Sequence, residues 1–216
     1  MKNLSTVCIL TGIALLLAAL SLVLYNVHED EQSGEQAQEI LSVLHRDMDE
    51  IQALPQPTEE TDYLKEYFPE YVEETEEALE EIAIRLDGSE YIGVIRIPDI
   101  GIELPVMSEW SYPNLKIAPC RYRGSFQTGD LIIAGHNYRS HFGKIGDLSS
   151  GSEIIFTDVT GNEHHYYVMN IEQIAGTAVE KMEFGSGEEW DLTLFTCTLD
   201  GRSRVTVRAL EVQNEE

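Results

Sequence analysis

The stretch that decides the fold is DLTLFTCTLDGRSRVTVRALEV, residues 191–212. Its first part, DLTLFTC (191–197), sets Leu192, Leu194 and Thr196 on one side and Thr193, Phe195 and Cys197 on the other, the period of two that a strand imposes on its side chains. After a turn built on Asp200 and Gly201, RVTVRALEV (204–212) alternates again, with Val205, Val207 and Ala209 on one side and Arg204, Thr206 and Arg208 on the other. Two alternating runs joined by a short Gly-containing turn predict a β-hairpin that brings Arg204 beside Cys197.

Upstream lie more runs of the same texture: YIGVIRI (91–97), IELPV (102–106), DLIIAG (130–135), EIIFTD (153–158) and HHYYVMNI (164–171). Gly, Asp, Asn, Ser or Pro marks most of the gaps, as strand turns require. Many short strands without regular intervening helices predict an all-β barrel or sandwich over residues 88–216.

The N-terminus has a different character. VCILTGIALLLAALSLVLY, residues 7–25, carries no charge and is about as long as a helix must be to cross a hydrocarbon core of roughly 30 Å. Lys2 precedes it, while His28, Glu29, Asp30 and Glu31 follow, so the positive-inside rule leaves the N-terminus in the cytoplasm and the remainder outside. Residues 1–28 are thus expected to form a cytoplasmic tip and a single transmembrane helix. A cleaved signal peptide starts in the same way, but its apolar core is shorter, and no clear A-x-A site follows here.

Residues 29–87 read as an acidic stalk. Ile40, Leu41, Leu44, Met48, Ile51 and Leu54 recur at helical spacing, and Leu64, Tyr67, Tyr71, Leu79, Ile82 and Leu86 do so less regularly. Pro55 and Pro57 separate the two runs. The expectation is one or two amphipathic helices, the second packing on the domain behind it; a disordered acidic linker is the rival reading for residues 29–60. The chain has 14 Lys and Arg against 39 Asp and Glu, a formal charge of -25, which excludes nucleic-acid binding by the general surface, because phosphate contacts need clustered cations.

Three segments carry candidate chemistry. Cys197 ends a strand and meets a turn, where a thiol is both rigidly held and reachable. Of the other cysteines, Cys8 lies in the apolar run and Cys120 lies downstream; a Cys120–Cys197 disulfide, common in secreted domains, is the alternative to a free nucleophile. LIIAGHNYRSHFG (131–143) runs an apolar strand into Gly135 and His136, and an imidazole titrating near neutrality suits general acid–base work. His141 competes with it, whereas His164 and His165 fall inside a strand. No metal site is expected, since these histidines lack recurrent ligand spacing. Arg204 would offer fixed donors to a developing oxyanion beside the thiol; Arg202 and Arg208 share its face and read equally as solvated strand charges.

Taken together the segments resemble the sortase family, cysteine transpeptidases of Gram-positive cell surfaces. LTLFTC matches the T-L-x-T-C signature at Thr193, Leu194, Thr196 and Cys197; AGHN (134–137) matches the segment of the catalytic His; the R-V-T-V run at Arg204 to Val207 matches the arginine strand; and YIGVIRIPDIGIELPV resembles the domain's opening strands. The resemblance spans about residues 88–212 and keeps the order His, Cys, Arg. It implies a closed sortase-type β-barrel with short helices, with His136, Cys197 and Arg204 as catalytic residues, Thr196 and Asn137 toward substrate, and no cofactor. It also implies cleavage of an LPxTG-like sorting motif through a Cys thioester, followed by transfer to an amine of peptidoglycan precursor or pilin. The expected partners are surface proteins with C-terminal sorting motifs, that acceptor, and the cell membrane, with the catalytic domain extracellular. Papain-like peptidases place Cys before His, and L,D-transpeptidases set their cysteine in S-H-G-C-x-R, so another cell-wall cysteine peptidase fits less well. A non-catalytic surface β-domain binding a partner, with its two cysteines bridged, is the alternative of a different kind.

Overall fold

The computed structural model describes residues 2–53, 82–183, 185, 187 and 189–212. Among the described residues a long helix, α1 (Lys2–Gln52), precedes a β-domain. The strands are β1 (Ile84–Leu86), β2 (Ser89–Ile97), β3 (Ile102–Met107), β4 (Cys120–Arg123), β5 (Leu131–Gly135), β6 (Glu153–Asp158), β7 (Glu163–Ala175), β8 (Leu192–Cys197) and β9 (Ser203–Glu211). Two short helices, α2 (Tyr112–Leu115) and α3 (Val179–Glu183), lie in the connections β3–β4 and β7–β8.

The strand order is β1-β2-β3-β4-β5-β8-β9-β7-β6, with β2 also paired to β6. That last pairing, Gly93↔Asp158 through Arg96↔Ile155, closes β2 to β9 into an eight-stranded barrel and leaves β1 as a short flap on β2. The barrel is filled by the inward sets of its strands other than β4, among them Ile95, Ile97, Leu104, Leu131, Ile133, Phe156, Val168, Leu192, Leu194, Val207 and Ala209. The structure thus selects the barrel from the all-β architectures the strand pattern allowed.

One irregularity matters for the site. In β7 the register slips between Val168 and Asn170, and such a bulge exchanges the two faces of a strand. Before it Tyr166 and Val168 point into the barrel; after it Asn170, Glu172 and Ile174 pair with Arg208, Thr206 and Arg204 and so share their outward face.

Helix α1 departs from the expected anchor plus separate stalk. Nothing between Tyr25 and Ile40 breaks a helix, so the apolar run and the acidic run form one rod. By length and composition it can cross a membrane. Its second half is not a free stalk: Ser33, Ala37, Leu41, Leu44 and Met48 are buried, and the last three pack with Ile84, Tyr91, Val94, Met107, Ala118, Cys120 and Val159. Glu31, Glu35, Glu39, Asp49 and Glu50 are exposed, as the outer face of an amphipathic helix requires. Of the second predicted run, Leu64 to Leu79 lies outside the described residues, and Leu86 belongs to β1 rather than to a helix.

Candidate active site

On β5, β8 and β9 the inward residues build the core, which leaves Ile132, Ala134, Thr193, Phe195, Cys197, Arg204, Thr206 and Arg208 on the outer face. In the parallel pair β5–β8, Gly135 stands opposite Thr196. His136, the next residue, therefore leaves the strand abreast of Cys197. In the antiparallel pair β8–β9, Cys197 stands opposite Arg204, and cross-strand partners project to the same side. The three candidates occupy one row across three adjacent strands. His141 does not join them: it is fully buried, and its Nε2 lies 3.1 Å from Ser33 Oγ.

Cys197 is exposed and unpaired. Cys120 is buried and also unpaired, so no disulfide links them. Its Sγ donates to Ala118 O at 3.3 Å, and burial pushes its thiol up to about 12. Only Cys197 can present a reactive sulfur at this face.

The turn after Cys197 is fixed by its own side chains. Thr198 Oγ1 donates to Asp200 Oδ1 at 2.5 Å, the Arg202 amide donates to the same oxygen at 3.1 Å, and Gly201 takes the positive φ of 70° that the tight turn needs. Arg204 Nη1 donates to the carbonyls of Gly201 at 3.2 Å and Ser203 at 3.1 Å. The guanidinium lies over Gly176, where a Cβ would come within 2.9 Å of Nη1; glycine there leaves room for the arginine.

The His136 segment is shaped by two steric demands. A Cβ on Gly135 would sit 2.4 Å from the Phe142 ring, and one on Gly143 would sit 2.6 Å from the Tyr138 carbonyl oxygen. Both glycines let the loop fold over Phe142, which is fully buried. The imidazole of His136 stacks on Tyr138, with centroids 3.7 Å apart and planes 18° apart. Burial, and after it the nearby Lys116, push its pKa below the ordinary value; a hydrogen bond with Asn137 and the carboxylates of Glu29 and Asp30 pull upward without prevailing. Asn137 thus sits against His136. Thr196 is only 3% exposed and belongs to the inward set, so its side chain supports the cysteine's strand from behind rather than meeting a ligand on the outer face.

Sequence reasoning missed several neighbours. Phe195, Ile132, Ala134, Ile174 and Met182 form a small apolar cluster on this outer face, with Tyr122, Ala178 and Leu115 packed against it. Tyr122 stands edge-on to Phe195 and to Trp110, so an aromatic ladder leads from the strand of Cys197 to the β3–β4 connection. Arg208, read as a solvated charge, is 1% exposed. Its Nη1 donates to Met182 O at 2.6 Å and Thr193 Oγ1 at 2.9 Å, its Nη2 donates to Lys181 O, and its Nε donates to Glu172 Oε1 at 3.2 Å. It ties α3, one wall beside the apolar cluster, to the barrel. Among the described residues no group of three or more His, Cys, Asp or Glu side chains is arranged to hold a metal ion.

Comparison with known proteins bears on the family and the fold. A family model described as Sortase domain matches residues 95–212. Sortase A of Bacillus anthracis is 31% identical over 117 residues, covering 52% of this chain and 54% of that protein, so the chain spans about half the length of this relative. Sortase C1 of Streptococcus agalactiae superposes with a TM-score of 0.59 at 22% identity, over 81% of this chain and 100% of that one. Sortase C of Clostridium perfringens, solved with the C-terminal cell wall sorting motif, gives 0.55 at 19% identity over 81% and 100%. At these identities the solved structures speak for the barrel alone.

Proposed function

The chain belongs to the sortase family, and from that premise we propose that it is a membrane-anchored cysteine transpeptidase using Cys197, His136 and Arg204. The row these residues make across β5, β8 and β9 is the observation that carries the reading. Cys197 Sγ attacks the carbonyl carbon of a scissile peptide bond; the C–N bond breaks, His136 delivers a proton to the departing amine, and a thioester remains. An incoming amine then attacks the thioester, gives its proton to His136 and releases Cys197 as the thiolate, restoring the starting pair. Arg204 stabilises the carbonyl oxygen as it gains charge. Asn137 bears on the His136 side of the cleft, and Thr196 holds the strand from within.

The substrates we assign are surface proteins carrying an LPxTG-like sorting motif, and the acceptor is an amine of peptidoglycan precursor or a pilin lysine. The outer-face cluster of Phe195, Ile132, Ala134 and Ile174 is itself buried and braces the strand of Cys197 from the side of α3. α1 supplies the single-pass anchor, with the barrel on the extracellular side. Sharing one bilayer with a membrane-tethered substrate raises effective concentration.

The test uses the full chain in detergent micelles with LPxTG-type and NPxTN-type peptides, and reads hydroxylamine-dependent cleavage. Turnover of either peptide that disappears in Cys197→Ala supports the reading. His136→Ala should lose at least about a hundredfold. Cleavage that survives Cys197→Ala would overturn it.

A further inference from the structure

The loop that carries His136 is held by the part of α1 that directly follows the apolar span. Asp30 grips it with both carboxylate oxygens: Oδ2 accepts from the Arg139 amide at 3.0 Å, and Oδ1 accepts from the Ser140 amide at 3.0 Å and the Ser140 hydroxyl at 2.6 Å. Burial raises the Asp30 pKa, but the bonds from Ser140 and Arg139 outweigh it and keep the carboxyl below its ordinary value. One residue before, Glu29 accepts from Lys116 Nζ and from Tyr138 Oη, each at 3.4 Å, and Tyr138 is the ring on which His136 stacks. One turn after, Ser33 donates its hydroxyl proton to Lys116 O. The same oxygen lies 3.1 Å from His141 Nε2, so with its proton on Lys116 O it can accept from that ring nitrogen. Gly34 lets the helix come this close, since a Cβ there would sit 2.9 Å from Ser140 Cβ.

We infer that Asp30 is a positioning residue of the active site, setting His136 through the 138–141 turn, so that the membrane helix and the catalytic loop form one rigid unit. The inference rests on the assignment of His136 to catalysis. Three features support it over simple packing. The carboxylate satisfies backbone amides of the loop itself, which a neutral or shorter side chain cannot do twice. The contacts bridge residues about 110 apart in sequence. The loop closes on itself through the Phe142 amide, which donates to His136 O at 3.1 Å, and the Phe142 ring is buried in the barrel core.

The experiment compares wild type, Asp30→Ala, Asp30→Asn and the exposed-face control Glu39→Ala, all full length in detergent micelles. Three quantities are read: kcat and KM with the LPxTG-type peptide and hydroxylamine, Tm, and the His136 ring proton shifts in isotope-labelled protein. Stacking on Tyr138 displaces those resonances upfield. Asp30→Ala is expected to lower kcat about 10- to 100-fold with KM changed less than about threefold, as a catalytic group displaced by about 1 Å would, and to abolish the upfield shift. Asp30→Asn, which keeps one acceptor oxygen, should fall between the two, and Glu39→Ala should match wild type. Asp30→Ala with a wild-type kcat and unmoved His136 resonances overturns the inference. If Asp30→Ala does not fold, Asp30→Asn decides by the same two readings. Resonances that move in a protein showing no turnover in any form would sink the enzymatic reading while leaving the positioning role in place.

Discussion

Arg208→Met is the substitution whose cost can be worked most directly from the structure. The guanidinium is 1% exposed and serves four acceptors: Lys181 O, Met182 O, Thr193 Oγ1 and Glu172 Oε1. Methionine keeps the apolar stem and deletes every donor. A hydrogen bond to a charged group is worth about 1.5–3 kcal/mol, which for the three neutral acceptors sets an upper bound near 4–9 kcal/mol. Two offsets reduce it. The carbonyls of Lys181 and Met182 end the short helix α3 and can take up water once the arginine is gone, and the cation's own burial penalty, which depresses its pKa, is recovered. The Glu172 side chain is 41% exposed, so its ion pair adds little. A net loss of roughly 2–4 kcal/mol follows, or about a 10 °C fall in Tm for a domain of this size. Thermal unfolding of the full chain in micelles measures it. Because Arg208 holds α3, whose Met182 packs with Phe195, KM for the sorting peptide should rise more than kcat falls. Arg208→Lys should recover little, since one ammonium cannot serve the two α3 carbonyls and Thr193 together. A Tm drop under about 2 °C would refute the reasoning, because α3 would then owe nothing to the buried guanidinium.

Gly135→Ala places a methyl 2.4 Å from the Phe142 ring; overpacking of this kind costs about 1–3 kcal/mol, and displacement of His136 should lower kcat together with Tm. Cys197→Ala should leave Tm within about 2 °C of wild type, since the side chain is exposed, while removing turnover. His141 is held down to about 4 by burial and then by the neighbouring His136, against the pull of Asp30 and Ser33. Its folded-state pKa thus lies below the unfolded value near 6.5, and stability falls as pH drops from about 6.5 to 4, by up to ~3 kcal/mol. Urea midpoints measured across that window should flatten in His141→Gln.

The hairpin of β8 and β9 was legible because period-two alternation is a local property and Asp200-Gly201 marks its turn. That hairpin also delivered Cys197 and Arg204 as neighbours. The alternation could not say which outer faces are covered: Arg208 looks like Arg202 in sequence, and only α3 laid across it makes it a core residue. β4, CRYR (120–123), escaped because it is short, polar and half-exposed. β1 was folded into a supposed helical run, although Asp87-Gly88, with φ of 49° and 83°, is the residue pair a two-residue hairpin favours. The role of Asp30 left no local trace at all, since its partners lie about 110 residues away. The continuity of α1 was readable from the lack of a breaker before Pro55, but the change from lipid-like to acidic composition suggested two separate segments.

Closing β2 onto β6 removes the open edges that an eight-stranded sheet would otherwise present. Proteins tethered to one bilayer meet each other often, and an open sheet edge is a template for unwanted strand addition. Within the barrel every strand has a neighbour on both sides. Among the described residues the flap β1 has no second strand beside it, and it is three residues long with Arg85 at its centre. Too short to seed a ladder and carrying a charge where a second strand would dock, it gives a neighbouring copy little to zip onto.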